Sequence, residues 1–130
     1  PGSGGSQEIA AWANRCYVMT PHQKRRFPAK VDFRTSAGFL GGRAERDATG
    51  VRGGGPQVIV TDLGLLEPDE TGELILTAVH PGVQPEQAKA NTGWDLQIAA
   101  NLNVTAPVTD EELRILREEL DPNGIYLKGG

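Results

Sequence analysis

The sequence predicts an α/β fold, because strand-like and helix-like segments alternate along its 130 residues. Three observations carry this prediction. A glycine-rich stretch at residues 2–5 leads into a helical pattern, and the β-branched run 57–61 is typical of a central, possibly parallel strand. Near the other end, Thr109 and Glu112 form a capping box that opens a helix with leucines along one face.

The first half of the chain is expected to hold one short helix and two strands. Ser6 is the expected N-cap of the helix, and Ile9, Trp12 and Ala13 share one of its faces. The apolar run 16–19 and the alternating run 31–35 each fit a strand. Between residues 36 and 56, seven glycines and three arginines predict a long mobile loop.

The second half is expected to hold a hairpin, two helices and a further strand. Apolar residues at 63–66 and 74–76 flank a turn at 69–72 that ends in glycine, which is typical of a β-hairpin. Pro85 at a first helical position and Gly93 just past the end bracket a short helix. The run 94–98 fits another strand, and the last helix stops at the Asp-Pro-Asn-Gly segment 121–124.

Composition and charge exclude several function classes. The formal net charge of −4 gives the chain no bulk attraction to nucleic acid or to an anionic membrane. No apolar run approaches the roughly 18 residues of a membrane span. The hydrophobic share of 38% suggests many loops or missing partner surface. Cys16 is the one cysteine, so we expect a reducing, cytoplasmic setting and a buried thiol rather than a catalytic one.

The glycine-rich start is the strongest candidate for chemistry. The Gly2–Gly5 loop presents bare backbone N–H groups at a helix start, which can hold an anion or a developing oxyanion. A plain tight turn explains the same residues, and the sequence alone leaves both interpretations open. The stretch is not a P-loop, because no Lys-Ser or Lys-Thr follows, and it lacks the third glycine of a dinucleotide fingerprint.

The remaining polar clusters are less specific. Lys24, Arg25 and Arg26 can pair with phosphate groups, but composition alone favours a solvated charge run whose stems cover apolar surface. His22 and His80 are far apart in the sequence and are expected to be loop or structural residues. With one cysteine and no cluster of metal ligands, we expect no metal site.

Seven segments, in a fixed order, carry a resemblance that covers nearly all of the chain. Each segment is weak alone, but as an ordered series they resemble the B subunit of family I CoA-transferases, in particular its glutaconate and 3-oxoadipate branches. The segments are Gly2-Ser3-Gly4-Gly5, His22-Gln23-Lys24-Arg25-Arg26-Phe27, Val31-Asp32-Phe33-Arg34-Thr35-Ser36-Ala37-Gly38, Gly55-Pro56-Gln57-Val58-Ile59-Val60-Thr61-Asp62, His80-Pro81-Gly82-Val83, Asn91-Thr92-Gly93-Trp94-Asp95-Leu96 and Leu116-Arg117-Glu118-Glu119-Leu120-Asp121-Pro122.

The resemblance implies an open, mostly parallel sheet flanked by helices, with residues 1–130 forming the C-terminal half of a B-subunit-like domain. It also implies a reaction in which a glutamate attacks the thioester of an acyl-CoA. A glutamyl-CoA intermediate follows, and an acceptor carboxylate takes the CoA from it. In the family a glycine loop lies beside that glutamate on the oxyanion and CoA side, and it matches Gly4, Gly5 and Ser6, with Gln7 following on.

The family glutamate lies upstream of the glycine loop, in a segment that residues 1–130 do not contain. The resemblance therefore implies no catalytic residue here, and an enzyme that works only when assembled. The expected partners are the missing N-terminal half of the B subunit and an A subunit, with acyl-CoA as substrate and no permanently bound cofactor. The alternatives are a CoA-thioester hydrolase or ring-opening enzyme on the same scaffold, or a non-catalytic anion-binding module.

Overall fold

The structure, a computed structural model, describes residues 4–126 and contains one five-stranded sheet with short helices around it. The strands follow one another across the sheet in chain order: β1 Cys16–Met19, β2 Pro56–Val60, β3 Gly64–Pro68, β4 Leu74–Val79 and β5 Ile98–Val104. The helices are α1 Gly4–Trp12, α2 Arg43–Ala48, α3 Pro85–Ala90 and α4 Asp110–Arg114, and α4 continues as a π-helical segment, Ile115–Leu120.

The sheet is mixed, with parallel pairs at its two ends and antiparallel pairs at its centre. β1 runs parallel to β2 with Val18 opposite Ile59, and β4 runs parallel to β5. β3 is antiparallel to both of its neighbours, with Leu65 opposite Ala78. The predicted α/β fold, an open sheet flanked by helices, is confirmed. The sheet is mixed rather than mostly parallel, because the hairpin turn at residues 69–72 makes β3 and β4 antiparallel, and β3 is also antiparallel to β2.

The hairpin between β3 and β4 forms where the sequence predicts it. The Asp69 carboxylate accepts hydrogen bonds from the amides of Thr71, Gly72 and Glu73 at 2.8–3.0 Å. Gly72 has φ of +96°, a left-handed conformation that glycine adopts without steric cost. The Thr71 hydroxyl and these amides hold the pKa of the Asp69 carboxyl below its usual value. The turn is therefore fixed by local hydrogen bonds.

The hydrophobic core lies between the hairpin and α3. Leu66 on β3, Leu76 on β4 and Leu96 ahead of β5 are fully buried, and Ala88 of α3 packs against them. Phe27 joins this cluster from the segment that follows β1. Trp94 packs against the cluster as a loop residue, so the strand predicted at 94–98 starts only at Ile98.

Three other expectations are corrected by the structure. Residues 31–35 form no strand, because both apolar positions are exposed: Val31 by 53% and Phe33 by 76%. Ser6 lies inside α1 rather than at its N-cap, since the helix includes Gly4. The segment 36–56 contains α2 and so is not a structureless loop; its mobility stays a prediction.

The last helix is capped as the sequence predicts. Thr109 Oγ1 accepts from the Glu112 amide at 3.2 Å, and Glu112 Oε2 accepts from the Thr109 amide at 2.9 Å. On the leucine face of this helix, Leu113 and Leu116 are half-buried, whereas Leu120 is 71% exposed. No helix between residues 4 and 126 combines the length and the apolar character that a bilayer span requires.

Candidate functional site

The four candidate residues at the start of the chain form the first turn of α1. Gly4, Gly5, Ser6 and Gln7 are all exposed, while Gly2 and Ser3 lie outside the described residues. A Cβ added at Gly4 or Gly5 would meet no heavy atom within 4 Å. The first N–H groups of an α-helix have no carbonyl partner in their own helix and lie at the positive end of its dipole. Among the described residues, nothing fills the space beside these two glycines.

A second segment reaches the start of α1. Ser36 Oγ donates a hydrogen bond to Ser6 Oγ at 3.1 Å. The contact brings the loop that follows residues 31–35 to the first turn of the helix. Ser36 is part of the segment that carries the resemblance, but no local pattern places it beside Ser6, because the two residues are 30 positions apart.

The opposite end of α1 is held at the amino end of β2. The amides of Gly53 and Gly54 donate to the carbonyl oxygens of Ala11 and Ala13 at 3.0 and 3.1 Å. The nine residues of α1 span about 13 Å from there. We infer that α1 starts at the carboxyl edge of the parallel strands β1 and β2, which is where open α/β sheets bind their ligands.

At that carboxyl edge, His22 joins the ends of β1 and β2. Its backbone amide donates to Asp62 Oδ1 at 2.6 Å, and its ring nitrogens lie 3.2 Å from Thr61 Oγ1 and 2.9 Å from Thr92 Oγ1. The Thr92 hydroxyl donates to the Ala88 carbonyl, so Nε2 of His22 must donate to Thr92. Burial lowers the pKa of His22, and the negative charge of Asp62 opposes this shift.

His80 meets the same strand end from the other side. Its Nε2 donates to the Thr61 carbonyl at 2.8 Å, and its Nδ1 lies 2.8 Å from Thr105 Oγ1. Two histidines that are far apart in the sequence therefore converge on Thr61. Among residues 4–126, no group of three or more His, Cys, Asp and Glu side chains is placed to hold a metal ion.

The basic residues Lys24, Arg25 and Arg26 lie in an exposed turn just after His22. The amide of Arg26 donates to the Gln23 carbonyl at 2.7 Å, which closes the turn. Buried residues fix it on both sides, since the rings of His22 and Phe27 stack with their centroids 4.4 Å apart. Within the described part of the chain, no hydrogen bond or ion pair joins these cations to residues 4–7.

The five-stranded sheet with its flanking helices matches the fold of a CoA-transferase. The crystal structure of glutaconate CoA-transferase from Acidaminococcus fermentans matches with a TM-score of 0.88 and 37% identity, over 98% of this chain and 49% of that one. In sequence, the chain is 39% identical over 129 residues to the B subunit of glutaconate CoA-transferase from the same organism. It is 41% identical over 118 residues to the B subunit of 3-oxoadipate CoA-transferase from Pseudomonas knackmussii. The resemblance to CoA-transferase B subunits is confirmed.

A hydrolase with the same fold is also similar. The cholesterol ring-cleaving hydrolase IpdB subunit of Rhodococcus jostii is 39% identical over 70 residues, which is 52% of this chain. The crystal structure of IpdAB from that organism matches with a TM-score of 0.74 and 29% identity, over 95% of this chain and 50% of that one. No family model matches the chain. The two transferase alignments include 98% and 90% of this chain, but only 48% and 45% of the relatives. The chain therefore spans about half the length of the curated relatives it matches.

Proposed function

We propose that this chain is part of a CoA-transferase that moves CoA between an acyl-CoA and a carboxylic acid. The observation that carries the proposal is the match, over 98% of the chain, to the B subunit of glutaconate CoA-transferase. The CoA thioester is a substrate of this reaction, and we propose that no cofactor is bound permanently.

In the proposed mechanism a glutamate from outside residues 1–130 attacks the thioester carbonyl. This gives an acyl-glutamyl anhydride and CoA thiolate. The thiolate then attacks the glutamyl carbonyl of the anhydride, which releases the donor carboxylate and leaves a glutamyl-CoA thioester. The acceptor carboxylate takes the CoA from this thioester by the same two steps in reverse, which frees the glutamate. Each acyl transfer passes through a tetrahedral intermediate with a negatively charged oxygen. We assign the amides of Gly4, Gly5 and Ser6, followed by Gln7, to that oxygen and the CoA side. One such backbone donor is typically worth roughly 2.7–4 kcal/mol.

The position of the first turn supports this assignment. Bare backbone at Gly4 and Gly5 lets a carbonyl oxygen approach the N–H groups, since no side chain or neighbouring atom occupies the space. We further propose that Lys24, Arg25 and Arg26 contact the phosphate groups of CoA. They are exposed on a fixed turn, and arginine pairs well with phosphate.

The proposed partners are a CoA-transferase A subunit and the remaining half of the B subunit. None of the nine residues of α1 is buried by the described chain, and Ile9 and Trp12 are 61% and 55% exposed. Such a helix has apolar surface to offer to another segment. A cytoplasmic location stays a prediction that rests on the free thiol of Cys16.

The direct test is Gly5→Val in the assembled enzyme. A branched side chain on the first turn would block the approach to the amides, so we expect turnover to fall by about 100-fold or more. Folding should be retained, because a Cβ at Gly5 meets nothing within 4 Å. Ala90→Val, on an exposed position of α3, is the control for added side-chain size. Unchanged turnover in Gly5→Val would contradict the role of the first turn.

The second candidate function is hydrolysis of a CoA thioester, which the similarity to the IpdB subunit favours. The two reactions differ in their need for an acceptor. Release of free CoA without any acceptor acid would identify a hydrolase, whereas a rate that depends on the acceptor acid would identify a transferase.

A further inference from the structure

Arg46 is buried in α2 although its guanidinium is charged at every physiological pH. Only 3% of the residue is exposed. Within residues 4–126, no acidic side chain forms an ion pair with it. Its nitrogens donate instead to backbone carbonyls: to Gly38 at 2.7 Å, to Ala10 at 3.0 Å and twice to Gly53 at 2.9 and 3.3 Å. Because a buried charge is costly unless it is hydrogen-bonded, these carbonyls form a built site for it.

The carbonyl of Ala10 belongs to the C-terminal turn of α1. The last carbonyls of a helix lack partners in their own helix and lie at the negative end of its dipole, where a cation is stabilising. The Gly53 amide donates to the carbonyl of Ala11 in the same turn, and the Gly54 amide donates to the carbonyl of Ala13, the residue just past the end of the helix. Arg46, Gly53 and Gly54 therefore cap the end of α1 from a distant part of the sequence, and we name these three residues the α1 clamp.

The clamp leaves no room for side chains at its glycines. A Cβ at Gly53 would overlap the carbonyl oxygens of Ala11 and Ala13, and one at Gly54 would overlap the carbonyl of Asn14. This is the opposite of Gly5, where a Cβ meets nothing. Gly53 and Gly54 thus hold the end of α1, whereas Gly4 and Gly5 leave space beside its start.

Within the described chain, the clamp rather than apolar packing holds α1. The helix has no buried residue. A helix moves as a unit, so a shift of its C-terminal turn also shifts the amides of Gly4, Gly5 and Ser6. A displacement of about 1 Å at a catalytic group can cost roughly 100-fold in rate.

We propose that Arg46 is a positioning residue, which through the α1 clamp holds the first turn of α1 at the distance the reacting carbonyl requires. This inference rests on the proposed function. Arg46 does not touch substrate, because its donors are taken up by the three carbonyls at the far end of the helix.

The test compares Arg46→Ala and Arg46→Lys with Arg52→Met in the full assembly. Lysine keeps the charge but lacks the planar fork that spans the three carbonyls. We expect both Arg46 variants to lower kcat by about tenfold or more with a KM for acyl-CoA within about threefold of wild type, and added guanidinium ion to restore part of the rate in Arg46→Ala. Amide exchange in α1 should rise about tenfold, with little change in the sheet. Arg52, an exposed residue of the same segment, should have neither effect.

Two results would overturn the proposal. One is a kcat within about twofold of wild type together with unchanged exchange in α1. The other is faster exchange throughout the sheet, which would show an ordinary loss of stability. If Arg46→Ala does not fold, Arg46→Lys decides. If the wild-type assembly transfers no CoA, the proposed function fails, while the exchange measurement still decides whether Arg46 holds α1.

Discussion

Two regions of the molecule, which we call its two sides, differ in how far their apolar residues are buried. The side formed by β3, β4 and α3 has its own core, in which Leu66, Leu76 and Ala88 have no exposed surface. The side formed by α1 and β1 is open: Tyr17 and Met19 on β1 are 61% and 84% exposed. Both carry apolar residues, but between residues 4 and 126 only the hairpin and α3 have neighbours that bury them.

This difference separates a region that packs within the chain from a region whose apolar surface stays exposed. The hairpin and α3 make a stable unit from local signals and contacts within the chain. The α1–β1 side presents bare helix and strand surface, in a chain that spans about half the length of its curated relatives. The candidate site, at the start of α1, lies on this open side. We therefore expect changes in the core to alter stability, and changes on the open side to alter assembly and turnover.

The largest expected effect on stability is that of Leu66→Ala. Leu66 is fully buried, so removing its side-chain atoms costs both burial and a cavity. We expect the free energy of unfolding to fall by about 2–5 kcal/mol, measured by chemical denaturation. Leu120→Ala is the matched control, because this leucine is 71% exposed. A similar loss in both variants would show that burial of Leu66 in the core does not set the size of the effect.

The next effect is a pH dependence of stability from His22. Burial lowers the pKa of its imidazole below 6.5, the value of the unfolded side chain. The unfolded chain therefore takes up a proton more readily than the folded one. Stability should be complete above about pH 6.5 and should fall as the pH drops toward the folded pKa.

Urea denaturation at about pH 7.5 and about pH 5.5 measures this effect. The free energy of unfolding should differ less between the two pH values in His22→Gln than in wild type, because the contribution of His22 is lost. His80→Gln should retain the contribution of His22. If the free energy of unfolding changes equally with pH in wild type and His22→Gln, His22 is not the source of the change.

The smallest expected change in stability belongs to Met19→Gln on the open side. Because Met19 is 84% exposed, the free energy of unfolding should change by no more than about 0.5 kcal/mol. Association with the partner polypeptides should weaken by about tenfold, as expected for roughly 1.4 kcal/mol of lost burial. Titration of the partners against the variant measures this. A large loss of stability with normal association would show that Met19 contributes to the folding of this chain and not to its assembly.

Local signals in the sequence were enough for the hairpin, α3 and the capped last helix. The turn residues Asp69 and Gly72, the proline at position 85 and the pair Thr109–Glu112 each act within a few residues. The strand predicted at 31–35 was wrong, because alternation produces a strand only when a neighbouring strand and a buried face are available.

The parts of the site that depend on distant contacts were not predicted. Arg46 was counted among the arginines of a mobile loop, and no short-range pattern shows that its charge is bound by three carbonyls. The meeting of His22 and His80 at Thr61 likewise arises only when the strands pair. The assignment of Gly4 and Gly5 to the site stays a prediction; it could be made from the sequence because bare backbone at a helix start is itself a local signal.

The arrangement of parallel and antiparallel strands has a consequence for the order of folding. β3 and β4 are neighbours in sequence, and such a hairpin closes within about 1–10 μs. β1 can pair with β2 only after the long stretch between Met19 and Pro56 has been drawn together, and contacts between distant residues form slowly. We therefore expect the β3–β4 hairpin to act as the folding nucleus and β1 to join the sheet late. The α1–β1 side of a newly made chain should then be the last part to form.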